Sequence, residues 1–171
     1  MHNWILETER LRLRELEPAD LDFVAAMLAD PVVMRFYPKP LIREEASQWL
    51  ERQRIRYRVD GHGLWLVVRR DGGEPVGQVG VLRQIVAGTP ELEVGYLLDR
   101  PFWRRGFATE AATAARDHAL SGLRAGKVIA LIRPENEPSQ AVAGRLGMSI
   151  HGQTEWGGLL HDIWGTPGGA G

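Results

Sequence analysis

The sequence predicts a single mixed α/β (α+β) domain of about seven strands and about four helices. A length of 171 residues, or 19.1 kDa, is that of one ordinary domain with room for a buried core. Hydrophobic residues make up 44% and charged residues 25%, which is typical of a globular protein. The period of the apolar pattern changes repeatedly along the chain, in the order β-α-α-β-β-β-α-β-α-β-β, with no internal repeat or linker.

The first half of the chain is predicted to hold four strands and two helices. Leu11 and Leu13 alternate with arginines, as in a half-buried strand, and Pro18 suits the first turn of a helix. The turn Asp71–Gly73 predicts a hairpin, and Gly77 and Gly80 indicate a bulge or a close neighbouring backbone. The predicted elements are strand Arg10–Glu15, helices Pro18–Ala29 and Arg43–Val59, and strands Leu64–Arg69, Pro75–Leu82 and Glu91–Leu98.

The second half is predicted to alternate helices and strands and to end in two strands. Gly147 is a typical residue for the C-terminal end of a helix. We expect the domain to span residues 1–165 and Thr166–Gly171 to form a flexible tail. The predicted elements are helix Gly106–Leu120, strand Val128–Ile132, helix Pro138–Leu146, and strands Ser149–Gln153 and Leu159–Trp164.

Composition excludes several classes of function. The 21 basic and 22 acidic residues give a net charge of −1, which argues against nucleic acid as a partner. The absence of cysteine excludes disulfides, thiolate metal sites and a cysteine nucleophile, and the five histidines lack ligand spacing, so no metal site is predicted. No apolar run is long enough to span a membrane and no signal peptide is apparent, so we expect a cytoplasmic protein with no membrane partner.

The run Trp103–Ala111 (WRRGFATEA) carries the most chemical information. It lies between a predicted strand and a predicted helix, and the small residues Gly106 and Ala108 allow a ligand to approach the backbone. A helix N-terminus offers free N–H groups and a positive dipole to an anion, and Arg104 and Arg105 add charge. The run therefore predicts either a phosphate or pyrophosphate site or a tight turn with surface arginines.

This run, continued back to Tyr96, resembles the acetyl-CoA signature of the GCN5-related N-acetyltransferase (GNAT) family, in its RimJ/RimL-like branch. Two further blocks resemble the same branch: Thr8–Arg14 (TERLRLR) near the start, and Asn136–Met148 (NEPSQAVAGRLGM). The resemblance spans roughly residues 7–164. It implies a mixed, mostly antiparallel sheet whose central strands splay apart, and an enzyme that transfers an acetyl group from acetyl-CoA to an amine.

The resemblance also implies where acetyl-CoA binds. The pyrophosphate is expected on backbone N–H groups after Trp103, and the pantetheine arm along the preceding strand, between it and the strand Val128–Ile132. Asn136 is expected to hydrogen-bond the pantetheine and Ser139 to lie near the sulfur. The residues implied to bind the cofactor are Tyr96, Leu98, Arg104, Arg105, Gly106, Phe107, Ala108, Thr109, Asn136 and Ser139.

Two positions depart from the pattern of many relatives. Trp103 stands where they have Gln or Arg, and tryptophan is usual there in the RimJ/RimL-like branch. Ala143 stands where many relatives have a tyrosine that protonates the leaving thiolate, so that acid is missing. Ser139 is the candidate that replaces it, by stabilising the thiolate with its hydroxyl group; the alternative is an ordinary residue near a helix N-terminus.

Amine acetylation needs a base, because an ammonium group must lose a proton before it attacks a thioester. Glu93 is the candidate catalytic base, and Glu91 lies two residues away on the same face of the strand. Either could instead attract a cationic substrate or lie on an exposed strand face. A backbone N–H near the splayed strands, such as that of Tyr96, would stabilise the oxyanion. Without cysteine, the expected route is direct attack in a ternary complex.

The acceptor is expected to be a protein or peptide N-terminus or a small-molecule amine, and a homodimer is left open. We expect its binding wall to come from the two early helices, the loop Asp30–Leu41 and the segment Gln153–His161. Trp49, Trp65, His161 and Asp162 are candidates either for the pocket or for purely structural roles. The arginines at 52, 54, 56 and 58 of the second helix form either a solvated face or a basic patch. A non-catalytic acyl-CoA sensor and an unrelated phosphate-binding fold are the alternative hypotheses.

Overall fold

The computed structural model describes residues 1–168 and contains one eight-stranded sheet with helices on both faces. The strand order in the sheet is β1-β2-β3-β4-β5-β6-β8-β7. The strands are β1 Leu6–Glu7, β2 Leu11–Arg14, β3 Leu64–Arg69, β4 Pro75–Val86, β5 Thr89–Leu98, β6 Ile129–Ile132, β7 Ser149–Trp156 and β8 Leu159–Gly165. The helices are α1 Leu21–Ala29, α2 Arg43–Asp60, α3 Phe107–Asp117 and α4 Glu137–Arg145.

The predicted mixed, mostly antiparallel architecture is confirmed, with one strand more than expected. β1 pairs antiparallel with β2 but is only two residues long, too short to show an alternating pattern. β4 and β5 are longer than predicted, because their ladder continues without interruption to the pair Val86 and Thr89. The tight turn that joins them places Ala87 and Gly88 at positive φ.

Helix ends differ from the prediction in physically simple ways. The segment predicted as one helix from Pro18 begins as a 3₁₀ turn and becomes α-helical only at Leu21. The helix that starts after Gly106 passes into a π-helical turn at His118–Gly122. Such changes of helical hydrogen bonding at the ends of a helix are common and leave little trace in the sequence pattern.

Each face of the sheet carries its own hydrophobic core. α1 and α2 cover one face and bury Leu28, Leu50 and Leu66, among others. α3 and α4 cover the opposite face, where Ala111 and Val142 lie in a larger core. Both faces of the central strands are therefore covered, and ligands reach the middle of the sheet only where strands separate.

The strands β5 and β6 separate in this way. They run parallel and are paired at a single position, Glu93 opposite Ile129. Beyond that pair the backbones of Val94–Leu98 and Ala130–Ile132 diverge, and each strand keeps its outer neighbour, β4 or β8. The predicted splayed central strands are confirmed, and the divergence opens a gap in the sheet.

Gly77 and Gly80 on β4 lie against neighbouring backbone, as their positions in the strand predicted. A Cβ atom at Gly77 would collide with the backbone of Leu97 and Leu98, and one at Gly80 would collide with the Gly63 carbonyl. The absence of these two side chains lets β4 pack closely against both of its neighbours.

The end of the domain is tied to the start of β6. Thr166 is buried, and its backbone N–H donates to the Val128 carbonyl at 3.0 Å. The Val128 N–H in turn donates to the Thr166 hydroxyl oxygen at 3.0 Å. The segment predicted as a flexible tail therefore begins with a residue that is held in place, and residues 169–171 of that segment lie outside the described residues. Within residues 1–168 we find no helix that is long and apolar enough to cross a membrane.

Candidate active site

A cavity of about 370 Å³ lies at the gap between β5 and β6. β5 and β6 form its floor, and α2 and the N-terminus of α4 contribute to its walls. The loop between α1 and α2 adds Phe36 and Tyr37, and the β7–β8 hairpin adds Trp156 and His161. The segments expected to form the acceptor wall thus line this cavity, except that α1 provides none of the described lining residues.

Glu93 is the one acidic residue among the described residues that line this cavity. Its side chain is 9% exposed, and one carboxylate oxygen accepts a hydrogen bond from Gln84 Nε2 at 3.1 Å. Burial raises the pKa of Glu93 to about 7, although hydrogen bonds from Gln84 and the Leu131 backbone and the charge of Arg56 oppose the shift. A carboxylate with this pKa is suited to exchange protons near neutral pH.

Glu91, the other candidate base, lies outside the cavity. Its carboxylate forms an ion pair with Lys127 Nζ at 3.2 Å. Two residues on the same strand face therefore have different partners, because Glu93 faces the cavity whereas Glu91, whose side chain is itself only 13% exposed, pairs with a lysine outside it. The sequence pattern placed both residues on the same face but could not distinguish them by their charged neighbours.

Three predicted cofactor residues meet at the N-terminus of α4. The side chain of Asn136 caps the helix by accepting a hydrogen bond from the Ser139 N–H at 3.2 Å. The Tyr96 hydroxyl group donates to the Ser139 carbonyl at 2.8 Å, which ties β5 to α4 across the gap. Tyr96, Asn136 and Ser139 all line the cavity, whereas Ala143 is fully buried in the core and offers no polar group.

The backbone of β5 presents hydrogen-bonding groups to the gap. The Asp99 N–H bonds to the Val76 carbonyl beside β4, so by strand alternation the backbone groups of Tyr96 and Leu98 point away from β4. The Leu98 carbonyl is already occupied by the Trp103 indole N–H at 2.9 Å. The backbone groups of Tyr96 and the Leu98 N–H therefore face the space where β6 has diverged.

The loop before α3 is shaped by two residues at positive φ. Arg104 has a φ of 60° and Gly106, which precedes the first helical residue, has a φ of 77°. The first N–H groups of a helix have no partner within the helix. Those at the start of α3 are therefore available to bind an anion. The buried Phe107 ring packs against Phe102, and Arg105 lies over both rings. These rings hold the loop in place while its backbone stays accessible.

An N-terminal clamp, formed by Thr8, Arg10 and Glu110, holds this loop against the start of the chain. The Glu110 carboxylate accepts hydrogen bonds from the Thr8 hydroxyl group at 2.6 Å, the Arg10 N–H at 2.9 Å and Arg10 Nε at 2.7 Å. The Arg10 guanidinium also donates to the Arg105 carbonyl at 2.9 Å and lies over the Phe107 ring. Two of the sequence blocks that carry the family resemblance are thus in direct contact.

Substitution of Glu110 by alanine is expected to lower the free energy of unfolding by about 2 kcal/mol, because it leaves the Thr8 and Arg10 donors without their acceptor. Burial raises the pKa of Glu110, but the hydrogen bonds from Thr8 and Arg10 outweigh it and the net pKa is lowered. The clamp should therefore stabilise the protein above the unfolded-state pKa of a glutamate and weaken as the pH falls below it.

Urea unfolding at pH 7 and at pH 4 measures both effects. Glu137→Ala is the matched control, since Glu137 also lies in the first turn of a helix but is exposed. The clamp would be unimportant if the two variants lost the same stability, or if the loss in Glu110→Ala did not diminish at the lower pH.

The other residues considered for the pocket have different positions. Trp49 lines the cavity, with its indole N–H donating to Gln78 Oε1 at 3.0 Å, whereas Trp65 is buried in the core. His161 lines the cavity, but Asp162 points to Gln153, which donates to it at 2.7 Å. Strand alternation separates these two neighbours.

Sequence reasoning missed several polar and aromatic groups of the site. Tyr37 and Trp156 come from a loop and a hairpin, and no pattern in the sequence marks them. Tyr37 as a whole residue is 38% exposed, but its hydroxyl group lies in a desolvated position. Desolvation, together with the negative charge of Glu93, raises the pKa of Tyr37 to about 12. Gln84 lies opposite Glu91 in the ladder and reaches Glu93 diagonally, beyond Leu82, where the predicted strand ended, so the sequence did not indicate this contact.

Comparison with known proteins agrees with this arrangement. A family model described as an acetyltransferase (GNAT) domain matches residues 10–149. The protein YkkB of Bacillus subtilis (strain 168) is 33% identical over 144 residues, which cover 84% of this chain and 84% of YkkB. The crystal structure of an acetyltransferase from Agrobacterium tumefaciens strain C58 is 28% identical, with a TM-score of 0.81 over 95% of this chain and 93% of that one.

The structure of RimL, a ribosomal L7/L12 α-N-protein acetyltransferase in complex with coenzyme A, shares the fold with a TM-score of 0.74. It is 16% identical, and the match covers 95% of this chain and 96% of the RimL chain. The fold, with its splayed strands and the helix N-terminus beside them, is that of an acetyltransferase. The chain belongs to the GNAT family of N-acetyltransferases, in the RimJ/RimL-like branch.

Proposed function

We propose that this protein transfers the acetyl group of acetyl-CoA to a primary amine by direct attack within a ternary complex. The observation that carries the proposal is the buried Glu93, which lies in the cavity at the point where β5 and β6 begin to diverge. Acetyl-CoA supplies an activated acyl group as a thioester. The protein has to hold that thioester in the gap, remove a proton from the amine and stabilise the departing sulfur.

Glu93 acts as the base in this proposal. An alkylammonium acceptor enters beside the carboxylate, which takes a proton directly or through a water molecule and leaves a neutral amine. Burial serves this role because it raises the pKa of Glu93 to about 7, so that proton transfer from the ammonium group becomes less unfavourable. Gln84 fixes the position of the carboxylate through its hydrogen bond.

The gap between the strands suits the thioester and its pantetheine arm. The Tyr96 carbonyl and the Leu98 N–H can pair with pantetheine amides as an added strand would, which leaves the Tyr96 N–H to stabilise the oxyanion. The Asn136 amide and the Ser139 hydroxyl group complete the far side of the gap. Ser139 stabilises the departing thiolate by hydrogen bonding, in place of the tyrosine that Ala143 replaces.

The loop before α3 suits the pyrophosphate. Gly106 has no side chain in the way, and the N–H groups from Arg104 to Thr109 together with the helix dipole favour an anion. Arg104 and Arg105 add positive charge at the edge of the loop. The aromatic packing of Phe107 and the clamp at Glu110 keep these N–H groups in one arrangement before the ligand arrives.

Two measurements on the purified protein test the proposal. Acetyl-CoA should raise the midpoint of thermal unfolding by several degrees, whereas ATP and NAD should not. Free thiol should then be released from acetyl-CoA in the presence of an amine, a polyamine or a peptide N-terminus. Stabilisation without turnover of any acceptor would show a non-catalytic acyl-CoA sensor, and the absence of stabilisation would contradict the assignment of the cofactor site.

A further inference from the structure

The arginines of α2 divide into two pairs with different surroundings. Arg54 and Arg58 both form ion pairs with Glu51, at 2.9 and 3.4 Å, and lie on the solvated face. Arg52 and Arg56 are four residues apart, so they share one helix face, and both line the cavity. Of the two interpretations that the sequence left open, the solvated face therefore describes only half of this set.

The two arginines in the cavity lack carboxylate partners among the described residues. Arg52 is exposed, with its guanidinium 6.0 Å from the centre of the Trp49 ring. Arg56 donates to the neutral carbonyl of Arg83 at 3.0 Å, and its charge lowers the pKa of Glu93 without an ion pair between the two described side chains. Arg54 and Arg58 share the Glu51 carboxylate, so each has an ion-pair partner, which Arg52 and Arg56 lack among the described residues.

The remaining charges of the cavity do not balance these two. Arg133 also lines it, and its guanidinium is paired with Glu135 at 3.2 Å. Glu93 carries the only carboxylate among the described lining residues and has to accept the proton of the amine. A site built for a simple cationic amine would be expected to present carboxylates to it, whereas the α2 wall of this cavity would repel an ammonium group.

We infer that the acceptor carries, besides its amine, an anionic group such as a carboxylate, phosphate or phosphonate that binds Arg52 and Arg56. A guanidinium presents paired N–H donors that match the oxygens of these groups. With the anion held at α2, the amine is left on the side of Glu93, and Trp49 lies beside the part of the acceptor in between. This inference rests on the proposed acetyl transfer and specifies the class of its acceptor.

Matched acceptors test the inference. 4-Aminobutyrate and butylamine have amines of similar basicity and differ in the carboxylate; peptides with Glu or Gln as the second residue form an equivalent pair for protein N-termini. The ratio of kcat/KM within a pair, anionic over neutral, should exceed about tenfold for the wild type. Arg52→Gln should lower that ratio about tenfold, because the KM for the anionic acceptor rises. A tenfold change is the size expected from the loss of one charge-assisted hydrogen bond. Arg58→Gln is the control on the same helix and should keep the wild-type ratio.

The outcomes separate this inference from the proposed function. A preference within the small-molecule pair indicates a metabolite, and one within the peptide pair indicates an acidic N-terminus; either supports an anionic acceptor. Equal kcat/KM for the charged and neutral members, or equal losses of the ratio in Arg52→Gln and Arg58→Gln, would overturn the inference and leave acetyl transfer in place. If acetyl-CoA binds and a polyamine is acetylated while neither pair is, the inference fails and acetyl transfer stands; if no acceptor is acetylated, both the inference and the proposed function fail.

Discussion

Replacement of Glu93 by glutamine should reduce kcat near pH 7 by about 100-fold, the size of effect expected from removal of a positioned general base. The carboxylate has to be ionised to accept a proton, and burial raises its pKa to about 7. Activity of the wild type should therefore fall as the pH drops through about 7. The kcat of Glu93→Gln should not show this decrease at low pH. The ratio of wild-type to variant kcat should become smaller at high pH, where more of the amine is already neutral.

Stability measurements distinguish this effect from a folding defect. A buried carboxyl group with a raised pKa lowers the free energy of unfolding as the pH rises from its unfolded-state pKa to its folded-state pKa. The reason is that the ionised form is poorly solvated in the folded protein. Glu93→Gln should therefore be at least as stable as the wild type at pH 8. Glu91→Gln is the matched control on the same strand, because Glu91 pairs with Lys127 outside the cavity. A pH profile unchanged in Glu93→Gln would show that Glu93 is not the base.

Gly106→Glu should weaken the binding of acetyl-CoA at least about 100-fold, which corresponds to roughly 3 kcal/mol. The position has a φ of 77°, which strains any residue with a side chain, and a Cβ atom there would lie 3.3 Å from the Arg10 guanidinium. A carboxylate at this point would also repel the pyrophosphate and obstruct the N–H groups that begin α3. Titration calorimetry with acetyl-CoA measures the loss directly.

Gly72→Glu is the control for this variant. Gly72 also has a positive φ, of 82°, but lies in the exposed hairpin turn between β3 and β4, where a Cβ atom would have no neighbour within 4 Å. Both variants should lose some stability from backbone strain, whereas only Gly106→Glu should lose affinity. Equal affinities of the two variants for acetyl-CoA would place the pyrophosphate elsewhere.

Much of the fold was predictable because its signals are local. The alternation of Leu11 and Leu13 with arginines, the turn at Asp71–Gly73 and the end of α4 at Gly147 each depend on a few neighbouring residues, and the structure agrees with all three. The two-residue strand β1 was missed, because pairing to β2 and not its own pattern makes it a strand. The π-helical turn after α3 was missed because a change of hydrogen bonding at the end of a helix leaves little trace in the sequence pattern.

The candidate site was predictable only in part. Gly106 carries a recognisable signal, a small residue before a helix, which the structure confirms as a backbone feature. Asn136 was named only through the family resemblance, and the cap that it forms on α4 was not predicted. The arginines of α2 look alike in sequence, and their separation into two pairs depends on how the helix is rotated against the sheet. Tyr37 and Trp156 lie in the two segments that were expected to line the acceptor site. No local pattern could identify these two residues within them, because they reach the cavity from distant parts of the chain.

The sequence by itself determined the single mixed domain, the order of its elements and the family, because periodicity, turns and the three motif blocks lie within short segments. Tertiary structure decided which of two equivalent glutamates faces the cavity, since Glu93 lies where β5 and β6 begin to diverge and Glu91 pairs with Lys127 outside it. It also decided which arginines face the cavity. Burial and charge compensation depend on neighbours far away in sequence, and those two properties set the chemistry of the site.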